Sequence, residues 1–122
     1  MKKITETIAN AFSQGSTKSL GNTSTDGNAF YLHGNKIAEW RENGLHMSLA
    51  GWSTVTTRER LNGIAQTIGL KVSFTQKAFE PYLNGKLINE NAWYNVREVH
   101  LDAIDREKAF DASPVGQFVE SL

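Results

Sequence analysis

Along residues 3–12, Ile4, Ile8, Ala11 and Phe12 recur at i, i+4, i+7 and i+8, the spacing of one helix face. The next stretch, Ser13 to Asn28, is rich in Gly, Ser, Thr and Asn and almost free of large apolar groups. It reads as a flexible linker, which makes residues 1–13 a helical appendage and 14–27 its tether. From Asn28 the period shortens to two. Phe30 and Leu32 alternate with Ala29, Tyr31 and His33, and Gly34-Asn35 turns the chain. In Lys36–Arg41, Ala38 and Trp40 alternate with Ile37 and Glu39. After the turn Glu42-Asn43-Gly44, Leu45, Met47 and Leu49 alternate with His46 and Ser48. Three alternating runs joined by short turns predict an antiparallel β-meander.

Beyond Gly51-Trp52-Ser53-Thr54 the period returns to that of a helix. Thr56-Thr57-Arg58-Glu59 has the spacing of a capping box, Leu61, Ile64, Ala65 and Ile68 form the stripe, and Gly69 supplies the stop. Val72–Gln76, Phe79–Leu83, Lys86–Ile88 and Ala92–Val96 then read as short strands, with Asn84-Gly85 as a hairpin turn. The expected fold is α+β, a β-β-β-α-β-β-β core domain over residues 28–97 with one helix packed on a twisted sheet. Residues 98–122 are expected to form a helical tail. Its last part, after Ser113-Pro114, places Val115, Phe118, Val119 and Leu122 on one face.

Composition narrows the function classes. The chain has 122 residues, 39% of them hydrophobic and 21% charged, enough for one folded core. It contains no cysteine, which removes disulfides, thiolate nucleophiles and Cys-based metal sites. The start carries no apolar signal region and no stretch is long enough to span a membrane, so a cytoplasmic location is expected. The formal net charge is zero, yet residues 1–77 hold nine Lys/Arg against five Asp/Glu and residues 78–122 hold four against eight. Blanket nucleic-acid binding calls for a basic excess, whereas opposed halves suggest either self-complementary association or one weakly basic face.

Catalytic patterns are missing from the sequence. No Gly-x-Ser-x-Gly, P-loop or dinucleotide fingerprint occurs, and His33, His46 and His100 lack zincin spacing. His33 and His46 could face each other across the meander. Glu98, His100, Asp102 and Asp105 suggest a weak cation site or, more simply, an acidic solvent-facing helix. The expectation is therefore a protein that is not an enzyme and takes no metal or cofactor. The segment Gly51–Asn62 is the most informative, since it sets Trp52, several hydroxyls, Arg58 and Arg60 at a helix start. The same residues also fit a purely structural role, with Thr56 as cap, Trp52 closing the core and the arginines paired with Glu59 or facing solvent.

Tyr31-Leu32-His33-Gly34-Asn35-Lys36-Ile37-Ala38, followed by Leu49-Ala50-Gly51-Trp52-Ser53-Thr54-Val55-Thr56-Thr57-Arg58-Glu59-Arg60-Leu61-Asn62, resembles a pattern in small uncharacterised bacteriophage-encoded proteins. The resemblance covers about residues 28–96 and implies a phage accessory protein; proteins of this kind often bind host machinery, including defence systems. The expected function is thus non-enzymatic modulation of a host protein complex, with an anti-CRISPR inhibitor as its sharpest form. The expected partner-binding residues are Trp52, Thr54, Arg58, Arg60, Tyr31 and Phe118. Homodimerisation through the apolar stripes of the two ends is a further expectation. A nucleic-acid binder is the alternative, with Tyr31, Trp40 and Trp52 stacking on bases and Lys36, Arg41, Arg58 and Arg60 on phosphates, as is a nucleotide-ligand sponge.

Overall fold

The computed structural model describes residues 1–111. In chain order it runs α1 (Lys3–Ser13), β1 (Lys18–Leu20), β2 (Thr23–Thr25), β3 (Ala29–Leu32), β4 (Asn35–Arg41), β5 (Gly44–Met47) and α2 (Val55–Ile68). Then follow β6 (Phe74–Lys77), β7 (Glu80–Leu83), β8 (Lys86–Leu87), β9 (Tyr94–Asn95) and α3 (Val96–Asp111). The class is α+β, as the patterning predicts. Strands β1 to β5 form one antiparallel meander, β9 pairs with β5 to complete a six-stranded sheet, and β6–β7–β8 form a separate three-stranded sheet. The single sheet of the sequence reading is therefore two.

The largest departure is at the beginning of the chain. Residues 14–27 are not a linker. Lys18, Ser19 and Leu20 pair with Thr25, Ser24 and Thr23, and the latter three pair in turn with Phe30, Tyr31 and Leu32. Hydrogen bonds hold this polar segment in place where apolar burial cannot. Thr25 Oγ1 donates to the Ala29 carbonyl at 2.7 Å and accepts from the Gly27 N–H at 3.0 Å. The Asp26 carboxylate accepts from the N–H groups of Ala29 at 2.7 Å and Asn28 at 2.9 Å. Those bonds, Ala29 first, hold its carboxyl below the ordinary value.

Nor is α1 an appendage. Ile8, Ala9 and Phe12 are fully buried, and Phe12 meets Phe30 edge-on at 5.8 Å and stacks on Trp40 at 5.6 Å. Its apolar face is covered within one chain, which withdraws that half of the case for a dimer through the ends. The other half, the stripe that includes Phe118, lies outside the described residues.

A buried arginine ties these pieces together. Arg60 on α2 is 3% exposed. Its Nε donates to Thr23 Oγ1 at 2.9 Å, one terminal nitrogen donates to Thr5 Oγ1 at 3.0 Å and to the Glu59 carboxylate, and the other donates to Asn22 Oδ1 at 3.2 Å. Every nitrogen of the guanidinium has an acceptor, and one carboxylate balances its charge, as burial of a cation demands. The acceptors come from α1, from α2 itself and from β2 with the residue before it. Arg60, expected among the partner-binding residues, instead lies inside the fold, and its bond to Glu59 is the pairing that the structural reading of this segment gives it.

Gly63 explains how α1 and α2 come close enough for this. A Cβ at Gly63 would stand 2.3 Å from Thr5 Cγ2, so only glycine lets the helices meet beside the Thr5–Arg60 contact. Helix α3 packs against β5, and its Val96 joins the same core cluster as Ile8, Phe12 and Ile64. Leu45, His46 and Met47 are consequently all buried, where alternation alone predicts every second residue. Helix α3 is pinned by His100 Nδ1, which accepts from the Lys71 N–H at 2.8 Å, and by the Lys71–Glu107 ion pair.

Replacing Arg60 with alanine removes the bonds donated to Thr5, Thr23, Asn22 and Glu59 and leaves Glu59 without its balancing cation, and should cost about 3 kcal/mol in denaturant unfolding. Glu59 adds a pH signature. Burial pushes its carboxyl up, but hydrogen bonds from Thr5, from Arg60 and from the Lys2 N–H outweigh that and bring it below the ordinary value. A carboxyl lowered by folding contributes stability above its unfolded-state value and loses it as pH falls through the folded one. Unfolding free energy measured against pH should therefore drop in that acidic window, and Glu59→Gln should flatten the drop.

Candidate binding face

The segment before α2 leaves the sheet through Ala50 at φ 53° and Gly51 at φ 80°, and the Gly51 N–H donates to the Glu90 carbonyl at 2.8 Å. This corner throws Trp52 outward, 58% exposed. It does not close the core. Two residues on, Thr54 caps α2. Its Oγ1 accepts from the Thr57 N–H at 3.1 Å, so the cap lies ahead of the expected Thr56–Glu59 box. The reciprocal glutamate of that box, Glu59, is engaged by Arg60 instead.

Trp52, Thr54 and Thr57 border a pocket of about 320 Å³ whose floor includes Leu32 and Ile37, with His33 at its side. Its lining holds no Lys, Arg, Asp or Glu. The residues that carry the bacteriophage resemblance in sequence, Leu32 to Ile37 and Trp52 to Thr57, therefore converge on one surface. Arg58 lies on another flank of the same first turn, where one terminal nitrogen donates to the Ser53 carbonyl at 3.3 Å and to Gln76 of β6. Trp52, Thr54 and Arg58 are thus gathered at one end of α2. Tyr31 is half-buried in β3 and outside this pocket, Arg60 is interior, and Phe118 lies outside the described residues.

The basic and aromatic set invoked for nucleic acid is dispersed and largely engaged. Trp40 stacks on Phe12, and Lys36 and Arg41 both pair with Glu39, at 3.0 and 2.9 Å. Arg41 also lies over the Trp93 ring at 5.1 Å. His33 and His46 do not face each other, because His33 occupies the β3–β4 turn while His46 stands opposite Glu39 and Asn95. His46 approaches Asn43 Oδ1 at 2.8 Å, and burial, followed by the nearby Arg41 charge, lowers its pKa. Among the described residues no group of three or more His, Asp or Glu could hold a metal ion.

A family model described as Kyanoviridae Gp96 protein, a bacteriophage family, matches residues 1–105. The chain belongs to this family. The match takes in α1 and the two polar strands as well as the region of the sequence resemblance, and ends within α3. Neither the search of curated proteins nor that of solved structures finds a match. Among the described residues of this Gp96-family chain, no helix is long and apolar enough to cross a membrane.

Sequence reasoning missed Leu32, His33 and Ile37 as parts of the face, because a strand pattern assigns Leu32 to the core and turn residues to solvent. The assignment of the cap is directly checkable. Thr54→Ala should cost about 1 kcal/mol in chemical denaturation, while Thr56→Ala should stay within about 0.5 kcal/mol of the parent.

Proposed function

We propose that this phage protein works by binding and modulating a host protein complex in the host cytoplasm, without catalysis, and that the Trp52 end of α2 is its contact surface. The observation that supports the reading is an exposed Trp beside a largely apolar pocket that contains no Lys, Arg, Asp or Glu. Tryptophan seated at a desolvated pocket is a frequent anchor of protein interfaces, and Arg58 at the rim adds a polar contact. The pocket brings together no acid–base pair suited to turnover. A counter-defence inhibitor, such as an anti-CRISPR protein, is the sharpest version of this reading.

Of the four cations invoked for phosphate contacts, Lys36 and Arg41 pair with Glu39, Arg60 is buried and Arg58 bonds Ser53 and Gln76, so protein is favoured over nucleic acid as the partner. The test is co-purification of the tagged protein from host lysate with mass spectrometry, in parallel with Trp52→Ala. A stoichiometric host protein retained by the parent and lost with the variant, whose melting curve is unchanged, is the expected result. Equal recovery by both proteins would remove Trp52 from the interface, and no stoichiometric partner would contradict the reading.

A further inference from the structure

The hairpin between β6 and β7 turns through Ala78 and Phe79, at φ 51° and 65°. A two-residue turn with both residues at positive φ is the conformation that Asn-Gly serves with least strain, and a Cβ disfavours it. The adjoining β7–β8 turn uses that ordinary solution, with Asn84 at φ 48° and Gly85 at 81°. At the β6–β7 tip the chain instead places a phenylalanine that is 93% exposed. An aromatic held in water by a strained turn costs the monomer twice, a pattern associated with residues retained for contact.

The hairpin and the pocket flank the same helix turn. Asn62 accepts from the Phe74 N–H at 2.7 Å and donates to the Phe74 carbonyl at 2.9 Å, and Arg58 donates to Gln76. Val55, Arg58 and Asn62 share one helix face, so β6 runs along that side of α2, whereas the pocket opens beside Thr56 and Thr57. The exposed Trp52 and Val55, 58% and 73% exposed, lie at this end too.

We propose that Phe79 of one copy seats in the Trp52 pocket of a second copy, reciprocally, about a twofold axis. The occupant follows from the chemistry of both parts. A phenyl ring needs no polar partner, the lining contains no Lys, Arg, Asp or Glu, and Trp52 offers an edge or face to the ring. Knob and pocket are different patches, so two copies satisfy both contacts only around a twofold axis. The area sets the strength. An aromatic buries about 150–250 Å², so Phe79, Trp52 and Val55 together remove roughly 700 Å² from the two copies. That is below the roughly 1,200 Å² of a stable complex, which makes the dimer weak and concentration-dependent. The inference is independent of any host partner. A partner that uses Trp52 would compete with it.

Sedimentation velocity on the full chain, from about 10 μM to about 1 mM, spans the range expected of such a weak pair. The parent should move toward the dimer mass at the upper end. Phe79→Ala, and Asn35→Trp at the pocket mouth, should each remain monomeric throughout. Replacing Ala78-Phe79 by Asn-Gly should raise the melting temperature and abolish the dimer, which separates the contact from the stability of the fold. A parent that stays monomeric overturns the proposal. So does a Phe79→Ala variant that associates as the parent does, which would assign association to another surface.

Discussion

One buried guanidinium organises the first half of the chain. A cation inside a protein is tolerable only if its donors are all taken and its charge is balanced. Arg60 meets both conditions with groups from α1, α2 and the start of the meander. The polar strand β2 buries Thr23, which serves as an acceptor for Arg60. Helix α1, in turn, must sit tight against α2, and Gly63 is the residue that permits it. The interaction selects among arrangements more than it adds net stability, since desolvation offsets much of its attraction.

That constraint also shows where sequence reasoning stops. Strands β3 to β5, helix α2 with its Gly69 stop and the Asn84-Gly85 turn carry their signals locally, in period or in turn chemistry. β1 and β2 carry none, because Thr23 and Thr25 look like linker residues until Arg60 and the Ala29 carbonyl are brought beside them. Ile37 and His46 break the expected alternation in a sheet that α2 contacts at β4 and α3 at β5, a tertiary effect absent from any one strand's pattern. The pattern puts Phe79 at the start of a strand rather than in a turn, since neither Ala78 nor Phe79 signals the positive φ that it adopts.

Of the six residues first singled out, the structure gathers Trp52, Thr54 and Arg58. The lesson of Arg60 is physical. An arginine within a hydroxyl-rich helix start fits an anion site or a buried clamp equally well, and only its distant acceptors Thr5 and Thr23 distinguish the two. With Arg60 turned inward, the end of α2 is an apolar surface with polar edges rather than a phosphate cradle. The rigid clamp beneath then acts as the mounting for Trp52 and the pocket, one helical turn away.

Native-state hydrogen exchange, comparing the parent chain with Arg60→Met, tests that central role most directly. Methionine fills much of the space without donating hydrogen bonds, so the clamp is removed while most of the packing is kept. The account predicts that amide protection in α1 and β1–β2 falls together, while the Phe74–Leu87 sheet keeps its own. Unchanged protection of α1, or a uniform loss over both sheets, would contradict it.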